Sequence, residues 1–168
     1  MTRIKLFAMD VDGTMTDGKI YMGSDGELFK AFDIHDGYAV HEMLPARGIK
    51  TAIITGRESK IVENRAKELE IDFVMQDIKN KASAITELQS RLRIKKNETA
   101  YIGDDIIDLE AMRCCGLSGC PADAIAEVKN YCDFVSALPG GRGAVRDFAE
   151  WIVRMQEKDN EQGNSNEA

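Results

Sequence analysis

Residues 4–14 read IKLFAMDVDGT. An almost unbroken apolar run of this length, stopped by Asp10, Asp12 and Gly13, is the pattern of a strand buried on both faces. The same pattern returns at TAIIT (51–55), DFVM (72–75), TAYIG (99–103), LSGC (117–120) and DFVSA (133–137). Helical periodicity fills the intervals near 37–46, 58–69, 80–91, 106–114, 122–129 and 143–156. Strand and helix taking turns predicts an α/β fold: a doubly wound, Rossmann-like parallel sheet with helices on both faces. One segment breaks the alternation. GKIYMGSDGELFKAF carries two β-like runs around a Ser-Asp-Gly turn and predicts a β-hairpin within about 18–32.

The 168 residues are 43% hydrophobic and 30% charged, which is ordinary for a globular domain and enough chain for one core. The reading is a single domain over 1–156. It is followed by a disordered acidic tail, 157–168, whose twelve residues hold four acids, one lysine and no large apolar side chain. No apolar run reaches the length of a membrane span, and the N-terminus meets acidic residues too early for a secretory signal. A net charge of −7 argues against a broad nucleic-acid surface. The four cysteines, at 114, 115, 120 and 132, lack a C-x-x-C pair and lie far in sequence from His35 and His41. They read as thiols of a reducing cytoplasm, not as a zinc site.

In open parallel sheets, ligands sit beyond the carboxyl ends of the strands. The residues found there are Asp10 and Asp12 after the first strand, Thr55, Gly56 and Arg57 after the second, and Asp104 and Asp105 after the fourth. Asp108 follows one helical turn on, and Lys81 opens the helix after the third strand. Singly, each has a plainer use, as a helix cap, a turn former or a solvated charge. Jointly, they bring carboxylates, a hydroxyl and an ammonium to one edge. Clustered carboxylates need a cation, and an all-oxygen set favours a hard ion such as Mg²⁺. Phosphoryl transfer suits this inventory: Asp10 attacks as nucleophile, and Asp12 serves as general acid and then base. Thr55 and Lys81 hold phosphate oxygens.

DVDGT, the Thr of ITGR, the Lys of NKASA and the GDDIID run resemble the four motifs of the haloacid dehalogenase superfamily. The resemblance implies that Asp10 is the nucleophile, Asp12 the acid/base, and Thr55 (with Gly56) and Lys81 the phosphate ligands. It implies Mg²⁺ held by Asp10, Asp104 and the main-chain carbonyl of Asp12, with Asp105 and Asp108 in support. Neither the stretch between Asp10 and the second strand nor that between Thr55 and Lys81 has room for a cap domain. The site is therefore expected to be open in a single subunit.

DGKIYMGSDGELFKAFDIHDGYAV, ITGRESKIVENRA, GDDIIDLEAM and PGGRGAVRDF resemble the capless 3-deoxy-D-manno-octulosonate 8-phosphate (KDO 8-phosphate) phosphatases, although Thr14 stands where many of them carry Val. That resemblance implies a homotetramer whose hairpins form a small barrel, with sites completed by a neighbouring subunit. The GGRG segment, Gly140 to Gly143, would reach across. Arg57, Arg65 and Arg142 are candidates for binding the carboxylate of the sugar acid. In relatives acting on nine-carbon N-acylneuraminate or 2-keto-3-deoxynononate 9-phosphates, Glu tends to replace the residue at position 57, so Arg57 favours the eight-carbon substrate. A phospho-acceptor signalling domain, the rival from another class, would want its acceptor Asp after the third strand, where Met75-Gln76-Asp77 stands.

Overall fold

The computed structural model describes residues 3–165, with side chains to Lys158. Six parallel strands form one sheet: β1 (Leu6–Met9), β4 (Lys50–Ile54), β5 (Phe73–Met75), β6 (Thr99–Ile102), β7 (Leu117–Cys120) and β8 (Phe134–Val135). Their order is β5-β4-β1-β6-β7-β8, so the chain winds outward from β1 in one direction and then returns to wind in the other. The reversal falls between β1 and β6, where open α/β sheets place their ligands.

Period-two alternation assigns the two faces. Phe7 and Met9 join Ile53, Ile102 and the helices α2 (Lys60–Glu68) and α6 (Ala144–Ser165) through Val62, Ala66, Phe148 and Ile152. Leu6 and Ala8 face the opposite way. They meet α3 (Lys81–Leu92), α4 (Leu109–Arg113) and α5 (Ala126–Tyr131) through Ile85, Leu88, Met112 and Val128. These buried apolar surfaces hold the sheet rigid beneath its loops.

The hairpin pairs β2 (Tyr21–Gly23) with β3 (Gly26–Phe29) in a sheet of its own, its two rings Tyr21 and Phe29 stacked at 4.3 Å. Between it and β4 lies α1 (Ile34–Tyr38), begun by Asp33, whose side chain accepts from the amides of His35 and Asp36. The helix expected at 37–46 therefore starts earlier. It continues through a π-helical turn, Ala39–Met43, and a 3₁₀ turn, Pro45–Arg47. Near 106–114 a single helix is replaced by a 3₁₀ turn, Ile106–Asp108, followed by α4. Neither inter-motif gap holds a cap domain; they contain only the hairpin with α1, and α2 with β5.

The last helix runs on to Ser165, past residue 156 where the sequence reading ends the domain, so residues 157–165 are helical where a disordered tail is expected. Glu, Lys and Gln after Trp151 are good helix formers even without an apolar stripe, and Glu157 pairs with Arg47 at 3.3 Å. Residues 166–168 of the expected tail lie outside those described.

Candidate active site

Asp10 follows β1 directly, and its carboxylate is buried, 4% exposed. The chain then coils tightly: the amides of Thr14, Met15 and Thr16 all donate to the carbonyl of Val11. Gly13 makes the coil possible. Its φ is +91°, and a Cβ there would stand 2.1 Å from Oδ2 of Asp104, so only a hydrogen lets the loops after β1 and β6 close on each other. Thr14 Oγ1 donates to Asp104 Oδ1 at 3.2 Å across the same gap.

Lys81, first residue of α3, reaches between carboxylates, with Nζ 2.8 Å from Asp10 Oδ1 and 2.7 Å from Asp108 Oδ1. Asp108 is fully buried and saturated with donors. Oδ1 also accepts from the Tyr101 hydroxyl at 2.7 Å, and Oδ2 accepts from the amides of Asp104 and Asp105 at 3.1 and 3.2 Å. Asp108 thus fixes the loop that carries Asp104. Asp105 supports through its amide, while its exposed carboxylate accepts from the amide of Ile106.

Oxygens of Asp10, Asp104 and Asp108 come within 4.8 Å of one another. Burial, then the Asp108 charge, pushes Asp10 up to about 7 despite Lys81. Burial and the charges of Asp10 and Asp108 push Asp104 up to about 7 as well. Lys81 responds oppositely: burial lowers it, but Asp10 and Asp108 more than compensate, and its pKa is raised. One ammonium is well served while the carboxylates around it are oversupplied with negative charge. That surplus, on oxygen ligands alone, fits a hard divalent cation between Asp10 and Asp104. Asp108, its oxygens already taken, is left as the group that orients the others.

Asp12 sits half-buried two residues beyond Asp10. Its Oδ1 is gripped by the ammonium of Lys30, whose side chain is only 2% exposed and also meets Glu27 Oε1 at 2.9 Å. Glu27 in turn accepts from the hydroxyl of Ser59, which caps α2. Thr55 is buried at the end of β4, with Gly56 and Arg57 following, and Arg57 lies 3.7 Å from Glu27. Arg65 is placed elsewhere. It spans α2 and α1, pairing with Glu68 at 3.0 Å, donating to the carbonyl of Asp33 and lying over the Phe32 ring.

The Gly140–Gly141 turn packs on the loop after β1 of its own chain. A Cβ on Gly140 would lie 2.0 Å from the Gly13 carbonyl oxygen, and the Gly141 amide donates to Thr14 O at 3.0 Å. Arg142 beside it is exposed.

Sequence reasoning passed over Lys30, Glu27, Ser59 and Tyr101. Tyr101 was hidden inside an apolar strand, and Lys30 looked like any charge on a hairpin. The only trace was Glu27 and Lys30 three residues apart beside exposed apolar positions.

Among the described residues the cysteines are free thiols and are not part of a group that could hold a metal ion. Within those residues no helix is long and apolar enough to cross a membrane.

Fold and site together define a haloacid dehalogenase-like hydrolase, and the family model of that description matches residues 71–140. The 3-deoxy-D-manno-octulosonate 8-phosphate phosphatase of Escherichia coli K12 is 43% identical over 155 residues, spanning 92% of this chain and 82% of that protein. The chain belongs to the KDO 8-phosphate phosphatase family and is an enzyme of the phosphatase type. The Yersinia pestis phosphatase structure matches with a TM-score of 0.88 at 43% identity, covering 92% of this chain and 83% of that one. The Moraxella catarrhalis enzyme, solved with magnesium, phosphate and KDO, matches at 0.87 and 40% identity, covering 96% and 92%.

Proposed function

We propose that the chain hydrolyses KDO 8-phosphate to KDO and inorganic phosphate, in the cytoplasm, as a Mg²⁺-dependent homotetramer. The observation that carries this reading is the meeting of buried Asp10 and Lys81 with half-buried Asp104, Asp12 standing two residues from the nucleophile. The Moraxella relative, bound to the sugar acid, phosphate and magnesium, supports the choice of substrate and ion.

Asp10 attacks phosphorus, and the alcohol leaves with a proton from Asp12 as the aspartyl-phosphate forms. Asp12 then takes a proton from water, which attacks that intermediate and frees phosphate. Thr55, Gly56 and Lys81 hold the phosphate oxygens through both steps. Asp10, Asp104 and the carbonyl of Asp12 would hold Mg²⁺, which when bound offsets the negative charge of nucleophile and phosphate. Arg57, beside the phosphate loop, is the first candidate to meet the sugar acid's carboxylate, with Arg142 as a second. Arg65, already engaged between α1 and α2, is better suited to an interface.

Oligomerisation is supported by the outer surface of the hairpin, where Ile20, Met22, Leu28 and Phe29 are all at least half exposed. Four exposed apolar side chains on one short hairpin favour a partner, here further copies of the chain.

Phosphate release from KDO 8-phosphate, an N-acylneuraminate 9-phosphate, a hexose phosphate and a phosphopeptide, with Mg²⁺ or chelator, tests the reading. A marked preference for the eight-carbon acid, lost on chelation, is expected. Preference for the nine-carbon acid would overturn the substrate and the use made of Arg57 while leaving the mechanism standing.

A further inference from the structure

Lys30 is the one cation in contact with the carboxylate of Asp12 that the structure describes, and it does not belong to any of the four sequence motifs. It follows β3, at the base of the hairpin, with its side chain almost wholly out of solvent. A buried ammonium needs anionic partners and is held rigidly where it has two. Here they are Asp12 and Glu27. Glu27 is itself pinned by the Ser59 hydroxyl at the start of α2, with Arg57 3.7 Å away. A chain of contacts therefore runs from the phosphate loop after β4, through the hairpin, to Asp12.

We infer that Lys30 is a positioning residue for the reaction: held by Glu27, it fixes the Asp12 carboxyl in the orientation that hands a proton to the leaving alcohol. The inference rests on the phosphatase reading and deepens it, assigning to the hairpin a part in the chemistry within one subunit. A carboxyl on a two-torsion side chain beside an open pocket would otherwise sample several rotamers. General acid catalysis demands hydrogen-bond contact with the leaving oxygen in the transition state.

Leaving groups tell this role from a structural one. As the bond from Asp10 to phosphorus forms, the bond from phosphorus to the leaving oxygen breaks, and an alkoxide needs the Asp12 proton at that moment. A nitrophenolate is stable enough to leave without it. The parameter kcat/KM reports events through departure of the first product, so hydrolysis of the aspartyl-phosphate, common to all substrates, does not blur the comparison.

The experiment measures kcat/KM with Mg²⁺ for KDO 8-phosphate, p-nitrophenyl phosphate and a series of aryl and alkyl phosphates graded in leaving-group acidity. The proteins are wild type, Lys30→Met and Glu27→Gln, each checked for folding by circular dichroism and thermal melting. For Lys30→Met the expected result is a fall of about a hundredfold on KDO 8-phosphate and less than about threefold on p-nitrophenyl phosphate. The dependence on leaving-group acidity steepens across the series. Glu27→Gln, which leaves Lys30 in place with a weaker anchor, shows the same bias at smaller size and carries the test if Lys30→Met does not fold. Equal losses on all substrates, or no loss, overturn the inference and leave the phosphatase reading intact. A wild-type chain that releases phosphate from none of them overturns both.

Discussion

Asp10, buried, and Asp104, half-buried, are ionised at neutral pH only at a cost, because each is partly stripped of water and faces other carboxylates. A carboxylate whose pKa is raised on folding contributes its full stability below its unfolded value, near 4, and loses it as pH climbs through the folded value, about 7 for both. Asp10→Asn removes one of these charges yet keeps an oxygen for Lys81. In chelator, it should melt higher than wild type at pH 8 and show a smaller advantage at pH 5. Thermal melts at the two pH values check this. With Mg²⁺ present, the same variant should release phosphate at least about a thousandfold more slowly, since no other nucleophile replaces it. These two aspartates were legible in the sequence because each directly follows a buried strand, so the sheet alone places them. Lys30 and Tyr101 were not, because their partners lie 18 and 7 residues away and are chosen by tertiary packing.

Between elements, the clearest joint is that of α1 with α6. Asp36 of α1 accepts from the amides of Gly143 and Arg146 at 3.2 and 2.8 Å, serving from a distance as the cap at the start of α6. Burial pushes its pKa up to about 6 against the pull of those amides. Its charge therefore costs stability that is present in full below pH 4 and lost as pH rises through 6. Asp36→Asn retains an acceptor without the charge. The stability of wild type relative to this variant should fall between pH 4 and 7, by up to about 3 kcal/mol, in urea titrations at each pH. Strands and most helices could be placed from their apolar periodicity. The early start of α1 could not, because its first turn exposes Ile34 and buries Asp36 and Gly37, the reverse of an amphipathic pattern.

For the whole molecule, two linkages are open to measurement. A cation bound between Asp10 and Asp104 displaces protons at low pH and meets free carboxylates at high pH. Mg²⁺ should thus raise the melting temperature more at pH 8 than at pH 5. Leu28→Asp puts a charge on the most exposed apolar residue of the hairpin, 63% accessible. Light scattering should show the proposed homotetramer falling to smaller species while circular dichroism stays that of a folded chain. The doubly wound sheet was readable because alternation of strand and helix leaves few other topologies. The course of α6 beyond residue 156 was not, because nothing apolar marks it.

Gly140 and Gly141 close over the loop that carries Asp10 and Asp12, at the far end of the chain from it. Synthesis proceeds from the N-terminus, so Asp10 is made well before the turn that houses its loop. A nascent chain carries Asp10 through the making of every later motif, but the loop is not seated until the turn at 140–141 has left the ribosome. The order of the fold thereby makes the seating of that loop wait on a later segment, and a product cut short before residue 140 would bear Asp10 without the turn that packs on its loop.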